Sequence, residues 1–152
     1  MQRIHLCTGI LEREGNILLV ASRYRNHPEP LWNLPGGRQE PYELLEDALR
    51  RELDEEVSLE IEIARIAYVA ESFDRSTDTH FTNVAFAVRS SGEPRLRAGD
   101  LHAVDFAWVP RANVGERLRA AVVRIPLLDY LGGREGGYYG FAEAGITIQF
   151  ND

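Results

Sequence analysis

The stretch from Leu34 to Leu59, LPGGRQEPYELLEDALRRELDEEVSL, constrains this chain more than any other. Two adjacent glycines, Gly36 and Gly37, open a run with helical periodicity that closes on Arg51, Glu52, Glu55 and Glu56, and the glycine turn is expected to feed straight into the helix. At about 100° per residue, Leu44, Leu45, Ala48 and Leu49 fall within roughly 140° of arc, which predicts a core-facing stripe. In the last turns Glu52, Glu55 and Glu56 occupy that sector, within about 100° of one another, while Leu53 and Val57 move to its flank. The stripe begins apolar and ends acidic.

Three carboxylates at i, i+3 and i+4 repel one another where water is scarce. A missing opposite charge at about 4 Å forgoes several kcal/mol at intermediate dielectric, so a cation is expected beside them. Ligands that are all oxygen suit a hard divalent ion, Mg²⁺ or Mn²⁺, which completes its shell with water and substrate phosphate. Arg51 can hold one carboxylate in place through its planar fork. Most glutamate clusters on helices are simply solvated faces, and the residues around this one decide against that reading.

The order is Gly37, five residues, Glu43, seven residues, Arg51-Glu52-Leu53, one residue, Glu55-Glu56, one residue, then Ser58 and Leu59. It closely resembles the signature of the Nudix (MutT-like) hydrolases and departs from it at Ser58, where the family pattern has glycine. Leu34-Pro35-Gly36 also looks like the usual approach to that box. A left-handed conformation is common where that glycine ends the helix, so serine is expected either to cost on the order of 1 kcal/mol there or to go with a helix end of another shape. The departure touches no carboxylate.

The resemblance implies a Nudix α/β/α sandwich with a mixed β-sheet, and water-driven cleavage of the diphosphate in a nucleoside diphosphate linked to another moiety. By position it makes Glu52, Glu55, Glu56 and the Gly37 carbonyl the metal ligands. Arg51 would orient Glu52 through a salt bridge, and Glu43 would support the site from the first helical turn. The acceptor of the water's proton varies in such enzymes between a box glutamate and an acid on a later loop; Asp100 is the candidate here, with Asp105 second. Glu40, Glu46, Asp47 and Asp54 fall outside the acidic arc and are expected to be solvated.

At 152 residues the chain suits one domain, 1–152, with a sizeable core, and 44% hydrophobic with 27% charged residues is ordinary globular composition. No apolar run of about 18 residues offers a membrane span, and the first ten residues lack a secretory h-region, so a cytoplasmic protein without a membrane partner is expected. The net charge of −7 disfavours a nucleic-acid polymer as partner. Oligomeric state stays open, a homodimer included. The single cysteine, Cys7, lies in an apolar strand and reads as a buried, inert thiol.

In chain order, Ile4 to Leu11 and Ile17 to Ala21 read as a hairpin around Glu14-Gly15-Asn16. Ser22 to Asn33 reads as a loop that brings Arg23, Tyr24, Arg25, His27 and Trp32 to the glycine turn; Arg23 and Arg25, with Gly36 and Gly37, are candidates to meet the substrate. Strands are expected at Leu59 to Ala70, His80 to Arg89 and Val104 to Val109, then a helix over Ala112 to Leu131 that Pro126 should kink or restart. The tail, 132–152, holds six of the chain's 13 glycines. It is expected to be mobile or to add an edge strand at Ile146 to Phe150.

Substrate choice is less constrained. The window Phe73 to Thr77 carries neither the proline that marks ADP-ribose enzymes of the family nor the tyrosine that marks those acting on dinucleoside polyphosphates. A nucleoside triphosphate or a broad range of nucleotides leads by exclusion, with ADP-ribose and dinucleoside polyphosphates as alternatives. A regulatory domain that binds a nucleotide without turning it over is the rival of another class; such modules usually lose box carboxylates, which this chain retains.

Overall fold

The computed structural model describes residues 1–99 and 102–150. Its elements run β1 (Gln2–Arg13), β2 (Asn16–Ser22), β3 (Leu31–Asn33), β4 (Gly36–Arg38), α1 (Leu45–Val57), β5 (Glu62–Asp74), β6 (Thr79–Arg89), β7 (Ala103–Pro110), a 3-10 turn (Arg111–Asn113), α2 (Val114–Arg117), α3 (Ala121–Leu131) and β8 (Gly137–Phe141). The hairpin forms as expected: Glu14 and Gly15 both take positive φ, the geometry that joins twisted antiparallel strands. Glu12 pairs with Ile17 and Arg13 with Asn16 beside the turn.

The sheet order is β3-β2-β1-β6-β5-β8, with β4 also on β1 and β7 also on β2. It is mixed, since β1 runs parallel to β6 and β8 parallel to β5. On one face Ala48, Leu49, Leu53 and Val57 of α1 pack with Leu11, Leu18, Phe86 and Val88. A second core joins Val114, Leu118 and Leu127 to Ile10, Ile17, Leu19, Tyr68 and Ala85. Helices thus cover two sides of a mixed sheet, the expected α/β/α arrangement. Among the described residues no helix is long and apolar enough to cross a membrane.

Local structure departs from the sequence reading at the glycine turn, at Leu44, in the second helix and in the tail, among other places. Gly36 does not lead straight into a helix: Gly36–Arg38 is a strand on β1, and α1 starts only at Leu45. Leu44 caps that helix in an extended conformation and is 71% exposed, so the buried stripe runs through Leu53 and Val57 instead, both fully buried. The expected helix over Ala112 to Leu131 is interrupted at Leu118, which turns extended to bury its side chain. Arg124 holds the break by donating to the carbonyls of Leu118 and Arg119 at 2.8 and 3.0 Å. Pro126 then lies inside α3, where it forgoes one helical bond. The added edge strand is β8; residues 146–150 form no strand.

Ser58 takes the left-handed conformation, φ 58° and ψ 36°. The N–H groups of Ser58 and Leu59 donate back to Asp54 and Leu53 at 3.0 and 3.3 Å, the closing bonds of a left-handed helix end. Ser58→Gly is therefore expected to raise stability by about 1 kcal/mol. That corresponds to a rise of about 2–4 °C in melting temperature for a chain of this size. A thermal melt that does not move, or falls, would show that the strain is relieved elsewhere.

Candidate active site

Two glycines let the box backbone pack closely, Gly36 against strand β1 and Gly37 against a box carboxylate. Strand β4 pairs with β1 through Cys7 opposite Gly37 and Thr8 opposite Gly36. Gly36 has φ 152°, and a Cβ there would come within 2.0 Å of the Cys7 carbonyl oxygen. A Cβ on Gly37 would lie 2.4–2.6 Å from the carboxyl group of Glu52. The Gly36 N–H donates to Glu56 Oε1 at 2.8 Å. Glu56 is almost completely buried, so this bond offsets part of the cost of desolvating it.

Arg51 ties the acidic groups together. Its Nε and Nη2 donate to the two oxygens of Glu43 at 2.8 and 3.0 Å, a bidentate fork, and Nη2 also donates to the Arg38 carbonyl at 3.0 Å. Nη1 reaches Glu52 Oε1 at 3.0 Å and Glu55 Oε2 at 3.3 Å. Glu43 precedes α1 rather than sitting in its first turn, and Arg51's hydrogen bonds hold its carboxyl below the usual range. Glu52 receives one arm of the fork. Burial pushes its carboxyl up to about 7 against the pull of Arg51, with Glu55 and Glu43 adding to the rise.

Gly36, Gly37, Arg51, Glu52, Glu55 and Glu56, but not Glu43, line one side of a cavity of about 1040 Å³ that also takes in Arg23, Tyr24, Arg25, His27 and Trp32, the loop residues picked out from sequence. The end of that loop is β3, so Trp32 comes from a strand, and Arg117 lies over its ring at 4.7 Å. Glu40 is exposed as expected but also lines the cavity, 3.7 Å from Arg51. Glu46 and Asp47 face solvent beside Arg50, and Asp54 beside Arg97. Asp105 is exposed on β7, bonded to the Phe106 N–H at 2.8 Å, and is not among the residues lining the cavity. Asp100 lies outside the described residues. Cys7 is buried, and burial pushes its thiol up to about 12, in keeping with an inert side chain.

Sequence reasoning missed the sheet's share of the cavity, Thr8, Tyr68, Ser72, Phe81 and Asn83, along with Arg119 and the tail residues Ile146, Ile148 and Phe150. The period of two from Phe81 to Asn83 signals a shared face. Which face holds the cavity follows from strand pairing and leaves no trace in the strand's own residues.

Glu52, Glu55, Glu56 and the Gly37 carbonyl offer only oxygen donors, a set that fits a hard divalent ion. Among the described residues no three acidic or imidazole side chains are gathered closely enough to hold an ion as they stand. Glu55 is half-exposed and drawn toward Arg51, so ligation calls for that side chain to turn.

A NUDIX domain model matches residues 2–131. An 8-oxo-dGTP diphosphatase of Proteus vulgaris is 29% identical over 89 residues, which are 57% of this chain and 77% of that protein. A CTP pyrophosphohydrolase of Escherichia coli (strain K12) is 39% identical over 70 residues, 46% of this chain and 50% of that protein. In three dimensions the chain is similar to a MutT NUDIX hydrolase from Burkholderia pseudomallei, with a TM-score of 0.72 and 28% identity over 84% of this chain and 97% of that one. A match running from the start of β1 to the end of α3 takes in the box, both helical layers and every strand but β8, and on that breadth the chain belongs to the Nudix (NUDIX domain) family of pyrophosphohydrolases.

Proposed function

We propose that this chain hydrolyses nucleoside triphosphates, or closely related nucleotides, between the α- and β-phosphates, with Mg²⁺ or Mn²⁺ held by Glu52, Glu55, Glu56 and the Gly37 carbonyl. The observation that carries the reading is the placement of Glu52 and Glu56 against Gly36 and Gly37 on a cavity that also holds arginines and aromatic rings. The names of the two relatives, each specifying a nucleoside triphosphate, support this substrate class.

A divalent ion at such a site neutralises phosphate charge and activates water. The chain's own residues position the participants. Glu43 anchors Arg51, and Arg51 points Glu52 at the site. Arg23 and Arg25 offer charge-assisted hydrogen bonds to phosphate oxygens. The attacking water's oxygen bonds to phosphorus, the bridging P–O bond breaks, and the water's proton passes to a box carboxylate or to Asp100.

The test is a substrate panel of nucleoside triphosphates, 8-oxo-dGTP, ADP-ribose and a dinucleoside polyphosphate, with products resolved by anion-exchange chromatography. A triphosphate is expected to give nucleoside monophosphate and pyrophosphate, with activity abolished by excess chelator and restored by Mg²⁺ or Mn²⁺. Undiminished turnover in chelator would sink the metal assignment. Turnover of ADP-ribose alone would move the substrate to that class, and nucleotide binding without any turnover would make the chain a binding module.

A further inference from the structure

Beyond β8 the chain runs back along the cavity as a strap over residues 142–150, fastened at two places. At the turn between β5 and β6, the Ala144 N–H donates to the Phe73 carbonyl at 2.7 Å and Arg75 Nε to Glu143 at 3.0 Å. The Thr147 hydroxyl meets that of Ser76 at 3.1 Å, and Ser76 is itself fixed by donating to Asp74 at 2.6 Å. At the loop after β2, the Arg25 N–H donates to the Gln149 carbonyl at 3.1 Å, and Asn26 accepts the Gln149 N–H at 2.8 Å. His27 Nε2 lies 2.8 Å from the Thr147 carbonyl, which also accepts from the Asn26 amide.

Along the strap Ile146, Ile148 and Phe150 alternate onto the cavity while Gln149 faces solvent. Arg38 lies over the Phe150 ring at 4.1 Å, and Tyr24 meets it edge-on at 6.1 Å. The cavity is also lined by Tyr68 and Phe81 and by Asn83. Asn83 is in register between Ala70 of β5 and Leu6 of β1, and among the described residues its amide has only long bonds, with the Thr8 hydroxyl at 3.3 and 3.4 Å. Rings and branched aliphatic groups with one weakly engaged amide suit a flat, mostly apolar group that carries a polar edge.

We infer that the strap is a specificity element: Ile146, Ile148 and Phe150 form the wall against which the substrate's nucleobase packs. This rests on the nucleotide reading above and names the part of the substrate that the strap recognises. Two variants test it, the double substitution Ile148→Ala/Phe150→Ala and a chain ending at Gly145, each assayed with the preferred nucleotide and with ribose 5-triphosphate, which lacks only the base.

The expected result is a fall of about tenfold or more in kcat/KM for the nucleotide, carried by KM, from the loss of packed apolar groups. In the double substitution the value for ribose 5-triphosphate should stay level; the shortened chain also releases the loop that carries Arg25, so there the nucleotide should lose more than ribose 5-triphosphate does. Should the shortened chain fail to fold, the double substitution decides alone, with its melting temperature as control. An unchanged KM for the nucleotide overturns the strap's role, as does an equal loss on both substrates. The unmodified protein separates the two readings: if it hydrolyses no nucleotide, the proposed function falls and the strap's role with it, whereas a failure confined to the variants leaves that function standing.

Discussion

Glu52→Gln and Glu56→Gln are each expected to lower turnover at least about a hundredfold, since several kcal/mol of transition-state charge stabilisation depend on the metal and each 1.36 kcal/mol is tenfold. Glutamine preserves the side chain's size, and at position 56 its carbonyl oxygen still accepts the Gly36 N–H, so the change removes charge and little else. Asp54→Asn is the control. Asp54 pairs with Arg97 at 3.0 Å on the exposed side of the helix, and surface pairs of that kind are worth about 0–1 kcal/mol.

Stability gives an independent readout for Glu52. Its folded-state pKa, raised to about 7 by burial, means that its contribution to stability is fully present below the unfolded value of 4.5 and is lost as pH rises through about 7. With chelator present, Glu52→Gln should therefore be more stable than the unmodified protein at pH 8, by on the order of 1–3 kcal/mol, and the gap should close near pH 5. A gap that widens on acidification would show the carboxylate to be stabilised when ionised. If neither glutamine variant slows a confirmed activity by even about tenfold, the acidic sector is a solvated face.

Gly37→Ala should be nearly as damaging to turnover, about a hundredfold, while leaving the fold largely intact. The new methyl group would lie 2.4–2.6 Å from the Glu52 carboxyl, which must leave its place beside Arg51, and misplacing a catalytic group by about 1 Å can cost about a hundredfold. Gly36→Ala is a sharp contrast. There the methyl would meet the backbone of Cys7 and Thr8, with a φ of 152° that disfavours any side chain, so the loss should appear in melting temperature first. The idea that the two glycines serve different ends fails if Gly37→Ala loses stability as heavily as Gly36→Ala, or if its turnover is unchanged.

Short-range features were legible in the chain itself. The hairpin at Glu14 and Gly15, the left-handed end at Ser58, and the spacing that brings Arg51, Glu52 and Glu55 together all arise from residues a few positions apart, where helical and turn geometry leave few alternatives. The box was readable for the same reason, and family membership followed from it. Only the tertiary structure decided the rest. Gly36–Arg38 became a strand because β1, some thirty residues earlier in sequence, offered an open edge. Leu44 lost its place in the core to Leu53 and Val57 because the sheet, rather than the wheel, sets which side of α1 is covered. The tail came to line the cavity through bonds from Thr147 and Gln149 to residues more than a hundred positions away. Such contacts depend on where β5 and the loop after β2 have already been placed by the rest of the fold, and local periodicity carries no record of that placement.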